Sequence, residues 1–138
     1  MITVLDYGAG NVRSVLNAIR TLGETVKLVD TPADILAAEK LVFPGVGAFG
    51  SMMHTLRQKG LVAPLLEYLR SNRPFFGICL GLQALFEGSE EAPEIGGLGF
   101  LAGTVRRFQI DLAVPHIGWN GLTVRQPSPI FRGLDGDE

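Results

Sequence analysis

Cysteine is nearly missing from this chain: Cys79 is the only one among 138 residues. A lone thiol excludes an intrachain disulfide, and a domain of this size buries enough core to need neither disulfides nor a structural metal. Histidine is almost as scarce. Two His and one Cys make a poor zinc set, so neither metal nor other cofactor is expected. Positive charge is not in excess either. The balance of 12 Lys+Arg against 14 Asp+Glu, net −2, lacks the basic footprint of a nucleic-acid or anionic-membrane binder. The longest apolar run, Pro74 to Phe86, is too short to span a bilayer and is interrupted by Gln83. Asp6 stands where a signal peptide would be apolar. The expectation is a soluble, unprocessed cytoplasmic protein whose thiol stays free. Repeats, low-complexity tracts and inter-domain linkers are also wanting, which predicts one domain over 1–138.

Glycine, by contrast, is plentiful at 18 residues, and it falls at the ends of apolar runs. Ile2 to Leu5 reads as a strand, followed by "DYGAGN" and then Val12, Val15, Leu16, Ile19 and Leu22 at helical spacing. Thr25 to Val29 is a second β-rich run. Thr31 as cap and Pro32 at the first helical position start a short helix through Ala38. Lys40 to Phe43 is a third strand breaking into "PGVGAFG". Met52, Met53, Leu56, Leu61, Leu65, Leu66 and Leu69 carry one or two helices around Gly60. Phe75 to Ile78 is a fourth, buried strand, and Leu80 to Phe86 the helix after it; further β segments are read at Thr104–Phe108 and Leu122–Arg125. A repeated β-turn-α unit predicts an α/β fold with an open, mainly parallel sheet and helices on both faces. The loops "YGAGN", "PGVGAFG" and "CLG" then share the edge where the strands end.

Gly77-Ile78-Cys79-Leu80-Gly81 is the cysteine version of the nucleophile elbow, G-x-S-x-G between strand and helix. Side chains two residues to either side of the strained turn would strike the neighbouring strand and helix, so only glycine fits. Cys79 would project from the sheet edge at a helix amino end, where a thiolate is favoured. The Leu80 amide would be half of an oxyanion hole. The plainer alternative is an inert thiol after a buried strand. Pro44-Gly45-Val46-Gly47 offers backbone for the other half of the hole, or an ordinary strand-to-helix turn. Gln83, a helical turn beyond Cys79, is placed to hold a polar substrate or is a half-exposed helix residue. Gly8-x-Gly10 with Asp30 outlines a dinucleotide-binding fingerprint, but Arg13 occupies the third glycine position. His54 reads as a surface or core-edge histidine. "VPHIGWNGL" sets His116, Trp119 and Asn120 in one short loop, a combination frequent where proteins meet, with a buried Trp as the alternative.

Together, "DYGAGNVRSV", "FPGVGAFG", "FFGICLGLQALFEGSEE", "GLGFLAGTVRRF" and "VPHIGWN" resemble, in order, the class I glutamine amidotransferases, and among these the glutaminase subunits of imidazole-glycerol-phosphate synthases. The resemblance implies a flavodoxin-like glutaminase domain in which Cys79 attacks the side-chain amide of L-glutamine. It further implies substrate binding by Gln83 and an oxyanion hole of Gly45, Val46, Gly47 and Leu80. Ammonia would pass to a (β/α)8 cyclase partner, toward which Asn11, His116, Trp119 and Asn120 would lie, in histidine biosynthesis. The family's His-Pro-Glu motif has no counterpart: His54 precedes Thr55-Leu56 and His116 precedes Ile117-Gly118. The expectation is therefore the N-terminal, nucleophile-bearing portion of such a domain, inactive alone. A binding or scaffold protein that keeps the interface without the catalysis is the alternative.

Overall fold

The computed structural model describes residues 1–8 and 11–133. They form two compact units, Met1–Arg107 and Phe108–Glu138, the second described as far as residue 133. The first unit is built around a four-stranded parallel sheet of β1 (Ile2–Val4), β2 (Val26–Leu28), β3 (Leu41–Gly45) and β4 (Phe75–Cys79), in the order β2-β1-β3-β4. This is the strand order of flavodoxin-like sheets through the switch point between β1 and β3.

Each crossover carries helix. Val12–Thr21 (α1) joins β1 to β2, Pro32–Ala37 (α2) joins β2 to β3, and Phe49–Gln58 (α3) with Val62–Arg70 (α4) joins β3 to β4. The first crossover runs one way along the sheet and the later ones run back. Right-handed connections therefore set α1 against one face and α2 to α4 against the other. Gly60, at φ +66°, breaks the long apolar run into α3 and α4.

The core lies on the face of the later helices. Phe43, Leu41, Phe49, Met52, Met53, Leu56, Leu65 and Tyr68 are essentially sealed from water, and each large apolar side chain so buried contributes about 1.5–3 kcal/mol. Arg73 closes the amino edge of the sheet. Its guanidinium donates to the carbonyls of Leu36 (2.6 Å) and Ala38 (2.9 Å) at the end of α2, and lies 4.3 Å from the ring centre of Tyr68.

Four expectations are corrected. The helix read over Leu80–Phe86 is one turn, α5 (Leu80–Gln83), because Phe86–Ser89 is a strand (β5) paired in parallel with β6 (Leu101–Val105). The pairing begins where the Leu101 amide reaches the Leu85 carbonyl at 2.8 Å, so β6 starts three residues before the Thr104–Phe108 run read from the sequence. Strand β4 is not buried: among the described residues it pairs only with β3, and Phe76 is 48% exposed. The run Leu122–Arg125 finds no partner strand and stays irregular; the described part of the second unit holds only a 3₁₀ turn at Pro129–Phe131. No helix of the described residues is long and apolar enough to cross a membrane.

Candidate active site

The ends of β1, β3 and β4 fall on one edge of the sheet because the three strands are parallel neighbours. Cys79 is the last residue of β4, and its backbone turns through φ 55° and ψ −114°. Few residues with a side chain adopt such torsions, and those that do are held there by their surroundings. The surroundings are glycine. A Cβ on Gly81 would come to 1.7 Å from the Phe43 carbonyl oxygen on β3. One on Gly77 would meet the Gly81 carbonyl and the Leu82 amide at 2.8 Å. One on Gly45 would lie 2.7 Å from the Leu80 Cβ. Strands β3 and β4 and helix α5 therefore meet backbone to backbone, and the chain leaves the sheet at Cys79 by the one sharp turn this contact permits. Cys79 is exposed and free.

Gly45 stands directly beside Cys79 in the β3–β4 register. Val46 and Gly47 thus leave the sheet next to the thiol, Gly47 at φ +94°. Leu80 is buried and Gln83, the last residue of α5, is half-buried. A thiol flanked by freed backbone amides is suited to acyl transfer, in which the amides stabilise a tetrahedral oxyanion. The one-turn α5 offers only local N–H groups, not the dipole of the longer helix read from the sequence, because the macrodipole grows from aligned peptides over several turns.

Asn11 caps α1 from the left-handed region, φ 71°, on the same edge as the loop after β1, and is exposed. Gly10 of the dinucleotide-like motif lies outside the described residues, and Arg13 is exposed on α1. His54 is exposed on α3. In the second unit His116, Trp119 and Asn120 are exposed, Trp119 fully so, which excludes the buried-Trp reading. The Asn120 side-chain amide and His116 Nε2 lie 2.5 Å apart, within hydrogen-bond distance. Among the described residues no group of three or more His, Cys, Asp or Glu gathers as a metal site would require.

Residues 3–137 match the model of the family described as "Glutamine amidotransferase class-I". The chain belongs to that family. Among its relatives is the imidazole glycerol phosphate synthase hisHF, chloroplastic, of Arabidopsis thaliana, 53% identical over 133 residues, which covers 95% of this chain and 22% of the plant protein. The imidazole glycerol phosphate synthase subunit HisH of Syntrophotalea carbinolica is 47% identical over 145 residues, covering 100% of this chain and 70% of the bacterial one. A solved structure described as a glutamine amidotransferase superposes with a TM-score of 0.66 at 25% identity, over 77% of this chain and 56% of the other. This class I amidotransferase chain thus spans about a fifth of the plant relative and just over two thirds of the bacterial one.

Two side chains that bond to the loop after β3 escaped the sequence reading. Tyr7, buried after β1, donates its hydroxyl to the Val46 carbonyl at 3.3 Å. Glu91 accepts the Phe49 amide at 3.3 Å and so caps α3 where it leaves the "PGVGA" loop. Each partner lies about forty residues away in sequence, and no local pattern announces such a pair. Burial raises the Tyr7 hydroxyl above its ordinary pKa, and negative charge at Cys79 and Asp6 acts in the same direction. The group is thus a protonated donor at neutral pH.

Proposed function

We propose that this chain is the nucleophile-bearing, N-terminal portion of a cytoplasmic glutaminase that supplies ammonia to imidazole-glycerol-phosphate synthase in histidine biosynthesis. The observation that carries the reading is the glycine-walled turn that holds Cys79 beside Gly45, Val46 and Gly47, in a chain of the amidotransferase family whose relatives include HisH and hisHF proteins.

In this reading the Cys79 thiolate attacks the side-chain carbonyl carbon of L-glutamine, held in part by Gln83. The C–O π electrons move onto oxygen, and the resulting oxyanion is stabilised by the backbone of Gly45, Val46 and Gly47 and by the Leu80 amide. Collapse of the adduct breaks the C–N bond, ammonia leaves, and the glutamyl thioester is hydrolysed by water. Covalent catalysis divides one difficult amide hydrolysis into two easier steps. The departing nitrogen must be protonated and the water activated, tasks for a general acid and base. Neither His54 nor His116 stands in a His-Pro-Glu motif, so we assign the base and its orienting carboxylate to polypeptide beyond these 138 residues. The ammonia acceptor is a cyclase of (β/α)8 type, engaged through Asn11 on the sheet edge and through the loop carrying His116, Trp119 and Asn120.

Ammonia release from glutamine, measured in the presence of the cyclase, tests the reading. The 138-residue chain should turn over at least about 10²- to 10⁴-fold more slowly than a version extended by a C-terminal segment with the His and Glu, since that is the usual cost of losing a general acid or base. Cys79→Ala in the extended protein should abolish release. Full turnover by the short chain would move the base to a residue within it, and turnover without Cys79 would end the glutaminase assignment.

A further inference from the structure

The chain has four asparagines, Asn11, Asn17, Asn72 and Asn120, and only Asn120 precedes a glycine. The distinction is chemical. A backbone nitrogen can attack the side-chain amide carbon of the asparagine before it and close a five-membered imide, provided that its own residue leaves it uncovered and lets the chain bend toward the side chain. A Cβ on that residue obstructs both, and glycine has none. Gly121 keeps this freedom in the folded chain: no atom lies within 4 Å of where its Cβ would be. It stands in irregular, exposed backbone, and among the described residues no backbone hydrogen bond engages its amide. The other three asparagines precede Val12, Ala18 and Arg73, and Ala18 lies inside α1, whose ladder occupies its amide.

The leaving group is provided for as well. An amide nitrogen departs readily only if it takes up a proton as its bond to carbon breaks, which is work for a general acid. The side-chain nitrogen of Asn120 lies 2.5 Å from Nε2 of His116, four positions back along the loop, and both side chains are exposed. An imidazole at that distance is within reach of the atom that has to be protonated.

We propose that Asn120-Gly121 is a self-modifying deamidation site, at which His116 delivers the proton to the departing side-chain nitrogen. The Gly121 nitrogen yields its proton to water and bonds to Cγ of Asn120. The bond from Cγ to Nδ2 breaks, and ammonia leaves with the proton from His116 Nε2, which solvent then replaces. Water opens the imide at either carbonyl and gives aspartate, or the isomer whose main chain runs through the side-chain carbon. One water is consumed and one ammonia released. The product adds a negative charge to a chain of net −2, in the loop that the proposed function sets against a cyclase. The inference stands apart from that function, since it uses neither Cys79 nor glutamine.

Peptide mapping by mass spectrometry of the 138-residue chain, incubated at neutral pH and sampled over days, locates the mass gain of deamidation. Asn120 should convert while Asn11, Asn17 and Asn72 stay unchanged. His116→Ala should slow the conversion about fivefold, a modest share of the about 10²- to 10⁴-fold that a fixed general acid supplies, because the loop is open to water. In guanidinium chloride, where the loop has no fixed geometry, parent and His116→Ala should convert at equal rates. Gly121→Ala should bring Asn120 down to the level of the other three asparagines, which identifies the imide as the route. If Asn120 stays intact in the native chain, or if Gly121→Ala converts as fast as the parent, the site is not what we propose. If His116→Ala changes the native rate no more than the denatured one, the proton does not come from His116.

Discussion

At Cys79 the backbone is held at φ 55° and ψ −114°, torsions that cost a residue with a side chain about 1–3 kcal/mol. The cost is local and the restraint is not: it comes from Gly77, Gly81 and Gly45, where β4, α5 and β3 touch. Replacement by glycine removes the Cβ and with it the strain, and little packing is lost because Cys79 is exposed. Glycine also widens the unfolded ensemble by about 0.5–1 kcal/mol, so Cys79→Gly should come out about 1 kcal/mol more stable than Cys79→Ala, which keeps the strain. Urea unfolding of the two variants measures the difference directly. Equal stabilities would mean that the turn is relaxed. The residue scale is also where the sequence was most readable: the five letters GICLG named the turn, and the three close approaches of Gly77, Gly81 and Gly45 are the physical cause inferred for them. Tyr7 was not readable, since its partner is 39 positions away and its neighbourhood exists only once β1 and β3 are side by side.

Among the elements, α2 shows how a six-residue helix survives. Asp34 accepts from the backbone amide and hydroxyl of Thr31, both at 2.8 Å, and pairs with Lys27 on β2. Lys27, then the Thr31 hydroxyl and amide, hold the Asp34 carboxyl far below the ordinary aspartate range. A group whose folded pKa is depressed adds stability above its unfolded value, near 3.9, and loses it as pH falls from there toward the folded value. Asp34→Asn should therefore lower the urea midpoint at pH 6 and flatten its decline between pH 4 and pH 2. Parallel curves for parent and variant would assign the acid sensitivity to other carboxylates. The Thr31-Pro32 start of α2 was legible because capping is a local matter. Strand β5 was not, because Phe86–Ser89 becomes a strand through its pairing with Leu101–Val105, a nonlocal event. Gly97 shows how close the returning chain runs there: a Cβ on it would lie 2.1 Å from the Phe86 carbonyl. Local periodicity carried the Leu80 helix on to Phe86 for want of that information.

For the whole molecule, the uneven covering of the sheet is the dominant feature. The face packed by α2, α3 and α4 holds the core, whereas Phe75 and Phe76 of β4 part company, the first packing on that core and the second lying 48% exposed. Alternation along a strand sends neighbours to opposite faces, and an exposed apolar edge strand invites association. Phe76→Lys should reduce self-association, read by sedimentation velocity, and shift stability by no more than about 0.5 kcal/mol, the usual span for surface changes. A loss above about 1 kcal/mol would mean that the ring is packed in the native state. The parallel α/β architecture followed from the repeated β-turn-α pattern. The edge position of β4 did not, because an apolar run reads the same whether it is flanked by two strands or by one.

The glycine contact among β3, β4 and α5 also bears on how such a site can change over generations. No methyl group can be added at Gly45, Gly77 or Gly81 without displacing backbone or the Leu80 side chain, and reaction rates respond to misplacements of about 1 Å. Thiol and loop are accordingly coupled, so that a side chain added at any of the three glycines moves both. Substitution is tolerated only in the residues surrounding that unit, while its own geometry has no neighbouring solution to drift into.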